Sequence, residues 1–139
     1  MIEIWTMDKA DAMFSKWIRA RDGRCMYPGC KRKYDTDVVH MQNSHFYSRA
    51  EWATRYDPEN CDTAHPGCHM FHWEGTKNTG YMQFKKEQLG TRRFNAMKKR
   101  VDDSKKFGAY TSHRDRIFQC MEFLRKEKFV DENYKLIKQ

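Results

Sequence analysis

Apolar and polar positions follow a helical period at several places along the chain. Between Met7 and Arg21, apolar residues recur at three- and four-residue steps with basic residues between them, as in an amphipathic helix. Asp22 and Gly23 follow and are typical of a helix end. A second helix is predicted from Pro66, which suits a first turn, to before Gly75. Three more helical stretches are predicted at 81–89, 92–107 and 114–129.

The middle of the chain mixes extended and turn-forming segments. Residues 38–42 predict a short strand, after which Asn43 and Ser44 bend the chain toward His45. Residues 49–55 fit either a loop or one helical turn, and residues 56–60 have the composition of a turn. The combination predicts an α+β fold. We expect one domain over 1–139, with an N-terminal helix in 1–24, a core in 25–80 and a basic helical extension in 81–139.

Charge points to an anionic partner. The net charge is +8 and the isoelectric point is near 9.3, which favours nucleic acid, although a solvated basic surface has the same composition. The chain opens without the features of a signal peptide, and no run approaches the ~18 apolar residues of a membrane helix. Five cysteines is an odd number, and they cluster with histidines. This favours metal thiolates in a reducing, cytoplasmic setting over disulfides.

Metal-ligand residues are concentrated in one region. The segment from His40 to His72 holds five of the six histidines and two of the five cysteines. Upstream of it, Pro28 and Gly29 form a tight turn between two cysteines, and two further ligands follow three residues apart in the segment. Two such loops that close on one ion make a structural Zn²⁺ site. The predicted ligands are Cys25, Cys30, His65 and Cys68, with Cys61 as an alternative to His65.

The order of residues across this segment resembles the HNH (ββα-metal) endonucleases that carry a zinc-knuckle brace. The likeness lies in Ser44-His45, in Asn60 fifteen residues later, and in the run from His65 through Pro-Gly to Cys68-His69. Within that family, residues 17–90 resemble the NinG (Rap) phage recombination proteins through WIRARDGRC, SHFYSR, RYDPEN and NTGYMQFKKEQLG. A more distant likeness is to phage endonuclease VII. The register places His65 where the family has a cysteine, which favours His65 over Cys61.

The resemblance implies a small zinc-stabilised ββα-metal core with flanking helices, and it implies roles for particular residues. His45 is expected to be the general base, and Asn60 to orient the base loop or help hold a metal. His69 is expected to bind a catalytic Mg²⁺ or Mn²⁺, with His72 or His40 as further candidates. Many family members have an aspartate before the base, where this chain has Ser44. The residues predicted to contact DNA are Arg49, Arg55, Lys85, Arg92 and Arg93.

The function implied by the resemblance is a metal-dependent DNA endonuclease that acts on branched or single-stranded DNA during phage recombination, in the cytoplasm of the bacterial host. An enzyme that cuts junctions is expected to act as a homodimer, for which the last predicted helix is the candidate contact. Two other functions fit the same residues. One is a non-catalytic, zinc-stabilised nucleic-acid-binding protein, and the other is a sequence-specific restriction or homing-type HNH nuclease.

Overall fold

The computed structural model describes residues 2–32, 37–73, 79–107 and 112–137. The main chain of 71–72 is included, but the side chains of Phe71 and His72 are outside the described set. Two 3₁₀ turns, Val38–His40 and Pro58–Asn60, precede the two strands. The helices are α1 (Met7–Asp22), α2 (Pro66–His72), α3 (Thr79–Phe107) and α4 (His113–Lys126), and the strands are β1 (Gln42–His45) and β2 (Cys61–Ala64).

The α1 helix agrees with its prediction to within one residue at its end. Thr6 caps its start, because the Thr6 hydroxyl accepts a hydrogen bond from the Lys9 amide at 3.2 Å. Gly23 ends it in the left-handed conformation, with φ of 67°, which glycine adopts without a side-chain clash. The buried face of α1 includes Phe14 and Ile18 and packs against α4.

The two strands pair antiparallel, with His45 opposite Cys61 and Gln42 opposite Ala64. The predicted strand at 38–42 is wrong in position, because residues 38–40 form a 3₁₀ turn and β1 begins at Gln42. The β2 strand was not predicted. All four of its residues are buried, so it lacks the alternation of apolar and polar positions by which a strand is recognised in a sequence.

The predicted helices at 81–89 and 92–107 are present and run as the single element α3. Gly90 interrupts it with a non-helical conformation, φ 77° and ψ 164°. Left-handed φ values of this kind favour glycine, so Gly90 bends α3 where the sequence predicts a helix end. The α4 helix ends at Lys126, three residues before the predicted end, and Lys128 follows with a φ of 59°. In the part of the chain that the structure describes, no helix combines the length and apolar character needed to cross a membrane.

The described part of the chain buries two hydrophobic clusters. The first lies between α1, α4 and the C-terminal segment and includes Phe14, Met121 and Leu124. The second surrounds Cys25 and Cys30 and includes Trp73 and Tyr81. The rings of Trp73 and Tyr81 stack with centroids 4.3 Å apart. The second cluster therefore links the end of α2 to the start of α3.

A buried ion pair attaches β2 to α3. The Lys85 ammonium lies 2.8 Å from the Asp62 carboxylate, and both side chains are fully buried. Lys85 also donates to the Glu59 carbonyl at 2.5 Å, and the Tyr81 hydroxyl donates to Asp62 at 2.9 Å. The prediction that Lys85 contacts DNA is therefore wrong, because its charge is enclosed and neutralised inside the fold.

Replacement of Lys85 by alanine is expected to lower the free energy of unfolding by about 3–5 kcal/mol, because the Asp62 carboxylate would stay buried without its counter-ion. Urea denaturation of the metal-loaded protein measures this change. Arg92 is exposed on the same helix, and Arg92→Ala is expected to change stability by less than about 0.5 kcal/mol. Equal stabilities for the two variants would contradict this account of Lys85.

Candidate metal centre and reaction cleft

Four residues from two loops converge on one point in the second hydrophobic cluster. Cys25 and Cys30 follow α1, His65 precedes α2, and Cys68 lies in the first turn of α2. One ligand atom from each residue lies within 4.8 Å of the other three. Bond lengths of about 2.0–2.3 Å in a tetrahedral zinc site place its ligands roughly 3.5–4 Å apart. The four residues can therefore hold a metal ion.

The local sequence creates this convergence. The chain turns between the two cysteines, where the Cys30 amide donates to the Tyr27 carbonyl at 3.0 Å. A Cβ atom at Gly29 would lie 2.9 Å from the Tyr27 ring, so a larger residue there would displace that ring. Pro66 occupies the first turn of α2, where its missing N–H is not needed, and this start brings Cys68 to the ligand cluster.

The surroundings of the sulfur atoms suit a bound cation. The His65 amide donates to Cys25 Sγ at 3.4 Å, and Cys30 Sγ lies 3.3 Å from His65 Nδ1. Burial raises the pKa of Cys25, and burial together with the neighbouring thiols raises the pKa of Cys68 to about 12. A divalent ion stabilises the thiolate form and reverses these shifts. The donor set of three sulfurs and one imidazole is of the kind that zinc binds.

Cys61, the alternative ligand, lies elsewhere. Its side chain is fully buried in the first hydrophobic cluster, together with Cys120, and burial raises the pKa of both thiols. The four-residue cluster contains His65 in its place. Within residues 2–32, 37–73, 79–107 and 112–137, no second group of three or more histidines, cysteines or carboxylates comes together in this way.

A cleft of about 830 Å³ lies beside β1, and His69, which lines it, directly follows the cluster ligand Cys68 in the sequence. Both His45 and His69 line it. The cleft therefore contains two of the three residues that the resemblance assigns to catalysis. Its charged residues are Asp11, Arg19, Arg49, Glu51, Arg55 and Lys105.

His45 is held in one orientation at the end of β1. Its Nε2 lies 3.1 Å from the Arg55 carbonyl, which can only accept a hydrogen bond, so Nε2 carries the proton and Nδ1 keeps its lone pair. Burial, with a smaller contribution from Arg49 and Arg55, lowers the pKa of His45 to about 4. The imidazole is therefore neutral at neutral pH and can accept a proton through Nδ1.

Asn60 closes the loop between the two strands. Its amide oxygen accepts from the Tyr47 amide at 2.8 Å, and its nitrogen donates to the carbonyls of Tyr47 at 2.9 Å and Thr54 at 3.1 Å. Thr54 precedes Arg55, whose carbonyl orients His45. These bonds fix the loop that carries the Arg55 carbonyl. The alternative role of Asn60 as a metal ligand stays a prediction; its side chain is buried, is absent from the cleft lining and already accepts one hydrogen bond.

His69 faces β1 from α2. Its Nδ1 lies 3.0 Å from the hydroxyl of Ser44, the residue before His45. His40, a further candidate ligand, is absent from the cleft lining, and its exposed side chain lies 3.7 Å from Asp37. The structure therefore does not bring His40 to His69. His72, the remaining candidate, has its side chain outside the described residues.

The predicted DNA contacts divide into exposed and buried arginines. Arg49, Arg92 and Arg93 are exposed, and Arg49 lines the cleft. Arg55 is only 7% exposed, and its guanidinium binds Asp11 with distances of 3.0 and 2.6 Å and the Arg49 carbonyl at 2.8 Å. Arg55 is therefore a structural residue, and its prediction as a DNA contact is wrong. Two cleft cations, Arg19 and Lys105, were not predicted.

Acidification is expected to destabilise the protein through His45. Because the folded-state pKa of about 4 lies below the ordinary 6.5, the unfolded chain binds more protons between these values. The contribution of neutral His45 to the free energy of unfolding is complete above pH 6.5. It is lost as pH falls toward 4, which lowers the free energy of unfolding by up to about 3 kcal/mol. Urea denaturation at pH 7 and pH 5 measures the change. His45→Gln keeps all other titrating groups. If its free energy of unfolding falls with pH as much as that of the wild type, the loss of stability is not due to His45.

Comparison of the chain with models of known protein families, with curated proteins and with solved structures finds no match in any of the three. The indications of function are therefore the residues of the metal centre and of the cleft.

Proposed function

We propose that this protein is a metal-dependent DNA endonuclease of the HNH type, with a structural zinc. The observation that carries the proposal is that His45 and His69, from β1 and α2, line one cleft while Cys68, next to His69, belongs to the metal-ligand cluster. The order β1, β2, α2 is also the element order of a ββα-metal core. In this proposal, the zinc cluster fixes α2 and so positions His69 against β1.

Zinc is the metal that the donor set favours at the cluster of Cys25, Cys30, His65 and Cys68. Three thiolates and one imidazole complete a tetrahedral shell, which leaves no coordination position for substrate. The site is therefore proposed to be structural. Closed sites of this kind stabilise small domains whose hydrophobic core is modest.

The residues of the cleft suggest how the reaction proceeds. His45 Nδ1 takes a proton from the attacking water, while the Arg55 carbonyl holds the ring through Nε2. Asn60 keeps the loop that carries this carbonyl in place. The neutral state of His45 at physiological pH suits the acceptance of a proton. The imidazolium that forms can return its proton to solvent.

His69 is the proposed protein ligand for a catalytic Mg²⁺ or Mn²⁺. When bound, such an ion stabilises the negative charge that develops on the phosphate and the leaving oxygen. One further oxygen in the cleft fits a hard cation, because Asn43 Oδ1 is buried without a hydrogen-bond partner among the described residues. Ser44 is buried outside the cleft lining, and its hydroxyl, 3.0 Å from His69 Nδ1, orients the imidazole.

Nucleic acid is the proposed substrate. The chain carries a net charge of +8, and three cations besides the neutralised Arg55 line the cleft, namely Arg19, Arg49 and Lys105. Contacts to phosphate of this kind give affinity without reading sequence. This favours an enzyme that selects branched or single-stranded DNA, as in phage recombination within the bacterial cytoplasm. The homodimer expected of a junction-cutting enzyme stays part of the proposal.

Incubation with plasmid, single-stranded and four-way-junction DNA, each with and without Mg²⁺ or Mn²⁺, tests the endonuclease proposal. We expect cleavage that requires added metal and that is fastest on one of the non-duplex substrates. His45→Ala, purified in the same way, controls for contaminating nucleases. Failure to cut any of the three DNAs under any metal would reject the proposal.

A non-catalytic nucleic-acid-binding protein is the second candidate. It is favoured by the finding that, among the residues the structure describes, only the zinc-type cluster assembles three or more histidine, cysteine or carboxylate ligands. This candidate predicts that the protein binds the same DNAs tightly and leaves them intact. The cleavage assay therefore separates the two functions.

A further inference from the structure

The charges of the cleft are unequally balanced. Four cations and two carboxylates line it. The Asp11 carboxylate is occupied by Arg55, at 3.0 and 2.6 Å, and by the Tyr56 hydroxyl at 2.8 Å. Arg49 approaches the same carboxylate less closely, at 3.8 Å. The second carboxylate, Glu51, lies 3.5 Å from Lys105.

Arg19 also lines the cleft, and neither of these carboxylates pairs with it. It lies near the end of α1 and is partly buried, and its guanidinium hydrogen-bonds the Ser15 hydroxyl, which also lines the cleft. Among the described residues, no carboxylate forms an ion pair with it. Burial lowers the pKa of Arg19, which reflects the unfavourable removal of its charge from water. An anion in the cleft would offset that cost.

Arg21, on the same helix, has a structural role that Arg19 lacks. Arg21 donates to the backbone carbonyls of Pro58 and Cys61, both at 2.7 Å, and so fastens α1 to the start of β2. Arg19 makes no comparable bond to the backbone among the described residues. The negative end of the α1 dipole favours a cation at either position, but it does not account for a guanidinium that lines the cleft.

We propose that Arg19 forms a binding subsite for a backbone phosphate of the nucleic acid, in the cleft that holds His45 and His69. The proposal rests on the proposed function to the extent that the ligand is nucleic acid. The planar guanidinium offers paired N–H donors that match two phosphate oxygens, and Ser15 steadies it. Arg49, which is exposed in the same cleft, adds a second positive charge.

The test measures binding apart from cleavage. Zinc-loaded full-length protein without added Mg²⁺ or Mn²⁺ is titrated into a short fluorescent single-stranded oligodeoxynucleotide over a range of salt concentrations. Arg19→Gln is expected to raise Kd about tenfold and to reduce the salt dependence, log K against log salt, by about 0.7, the value for one phosphate contact on a single strand. Arg19→Lys keeps the charge, so it is expected to keep the salt slope and to raise Kd by about threefold.

Lys16→Gln provides the matched control, because Lys16 is exposed on the same helix and is absent from the cleft lining. It is expected to bind within about twofold of wild type with an unchanged slope. Thermal melting and zinc content establish that each variant is folded, and Arg19→Lys decides the result if Arg19→Gln does not fold. Equal binding and equal slopes for Arg19→Gln and Lys16→Gln would overturn the subsite, and so would wild-type binding by Arg19→Lys.

Failure of the subsite and failure of the endonuclease proposal give different results. Wild-type protein that binds through Arg19 but never cuts with Mg²⁺ or Mn²⁺ rejects the endonuclease and supports the subsite. Protein that cuts, but whose binding is insensitive to Arg19, rejects the subsite alone. Wild-type protein that does not bind the oligodeoxynucleotide rejects both.

Discussion

Replacement of His45 by alanine is expected to lower the rate of DNA cleavage by about 10²–10⁴-fold, the usual contribution of a general base. The reason is that His45 is the neutral imidazole of the cleft with a fixed orientation, in which Nδ1 is the proton acceptor. The measurement is the single-turnover cleavage rate of a labelled DNA at saturating protein and metal. DNA binding is expected to change little, since removal of a neutral side chain leaves the phosphate contacts in place.

His40→Ala is the matched control for this loss. His40 is an exposed histidine of the same segment, paired with Asp37 outside the cleft lining, so its removal is expected to leave the cleavage rate within about twofold. Equal rates for wild type and His45→Ala would reject His45 as the base. Equal losses for His40→Ala and His45→Ala would show that the assay reports a general effect on the protein.

Loss of the structural zinc is expected to unfold most of the domain. The cluster lies within the second hydrophobic cluster and joins the loop after α1 to the start of α2, so its metal links segments about forty residues apart. Metal binding at closed zinc sites contributes free energy on the order of 10 kcal/mol, more than the net stability of many small domains. Cys30→Ser, or treatment with a strong chelator, is therefore expected to abolish the cooperative thermal transition seen by circular dichroism.

Cys120→Ala controls for the loss of a buried cysteine. Cys120 is buried in the other hydrophobic cluster, so its replacement is expected to keep one zinc per chain and a cooperative transition, with a loss of about 1–2 kcal/mol. Elemental analysis of zinc and circular dichroism decide the question together. A metal-free protein that melts like the zinc-loaded one would contradict the structural role of the cluster.

Local signals in the sequence predicted the helices well. The ends of α1 and the start of α2 agree with prediction because Asp22-Gly23 and Pro66 act on the residues next to them. Gly90 likewise marks the bend in α3. Strand β2 was missed because its position depends on pairing with β1 rather than on its own pattern. The choice between His65 and Cys61 also needed the fold, since β2 carries Cys61 into the other hydrophobic cluster.

The sequence did not show which arginines and lysines are neutralised by carboxylates inside the fold. Lys85 and Arg55 both stand in basic stretches, yet each is neutralised by a carboxylate from a distant part of the chain. Asp11 lies 44 residues before Arg55, so no local pattern shows the pairing. Arg19 was not predicted, because the amphipathic pattern of α1 does not show that this helix borders the cleft. The quoted WIRARDGRC run contains Arg19 and was the one sequence signal that could have pointed to it.

In the proposed function, the segment from His40 to His72 divides into a structural metal site and a reaction site. Its boundary falls between Cys68 and His69, which are adjacent in the sequence but belong to the ligand cluster and to the cleft, respectively. The most direct test measures zinc content and Mn²⁺-dependent DNA cleavage on the same preparation of His69→Ala. The account predicts one zinc per chain, a wild-type melting profile and loss of cleavage by at least about 10²-fold. Loss of zinc and fold in His69→Ala, or cleavage at the wild-type rate, would contradict it.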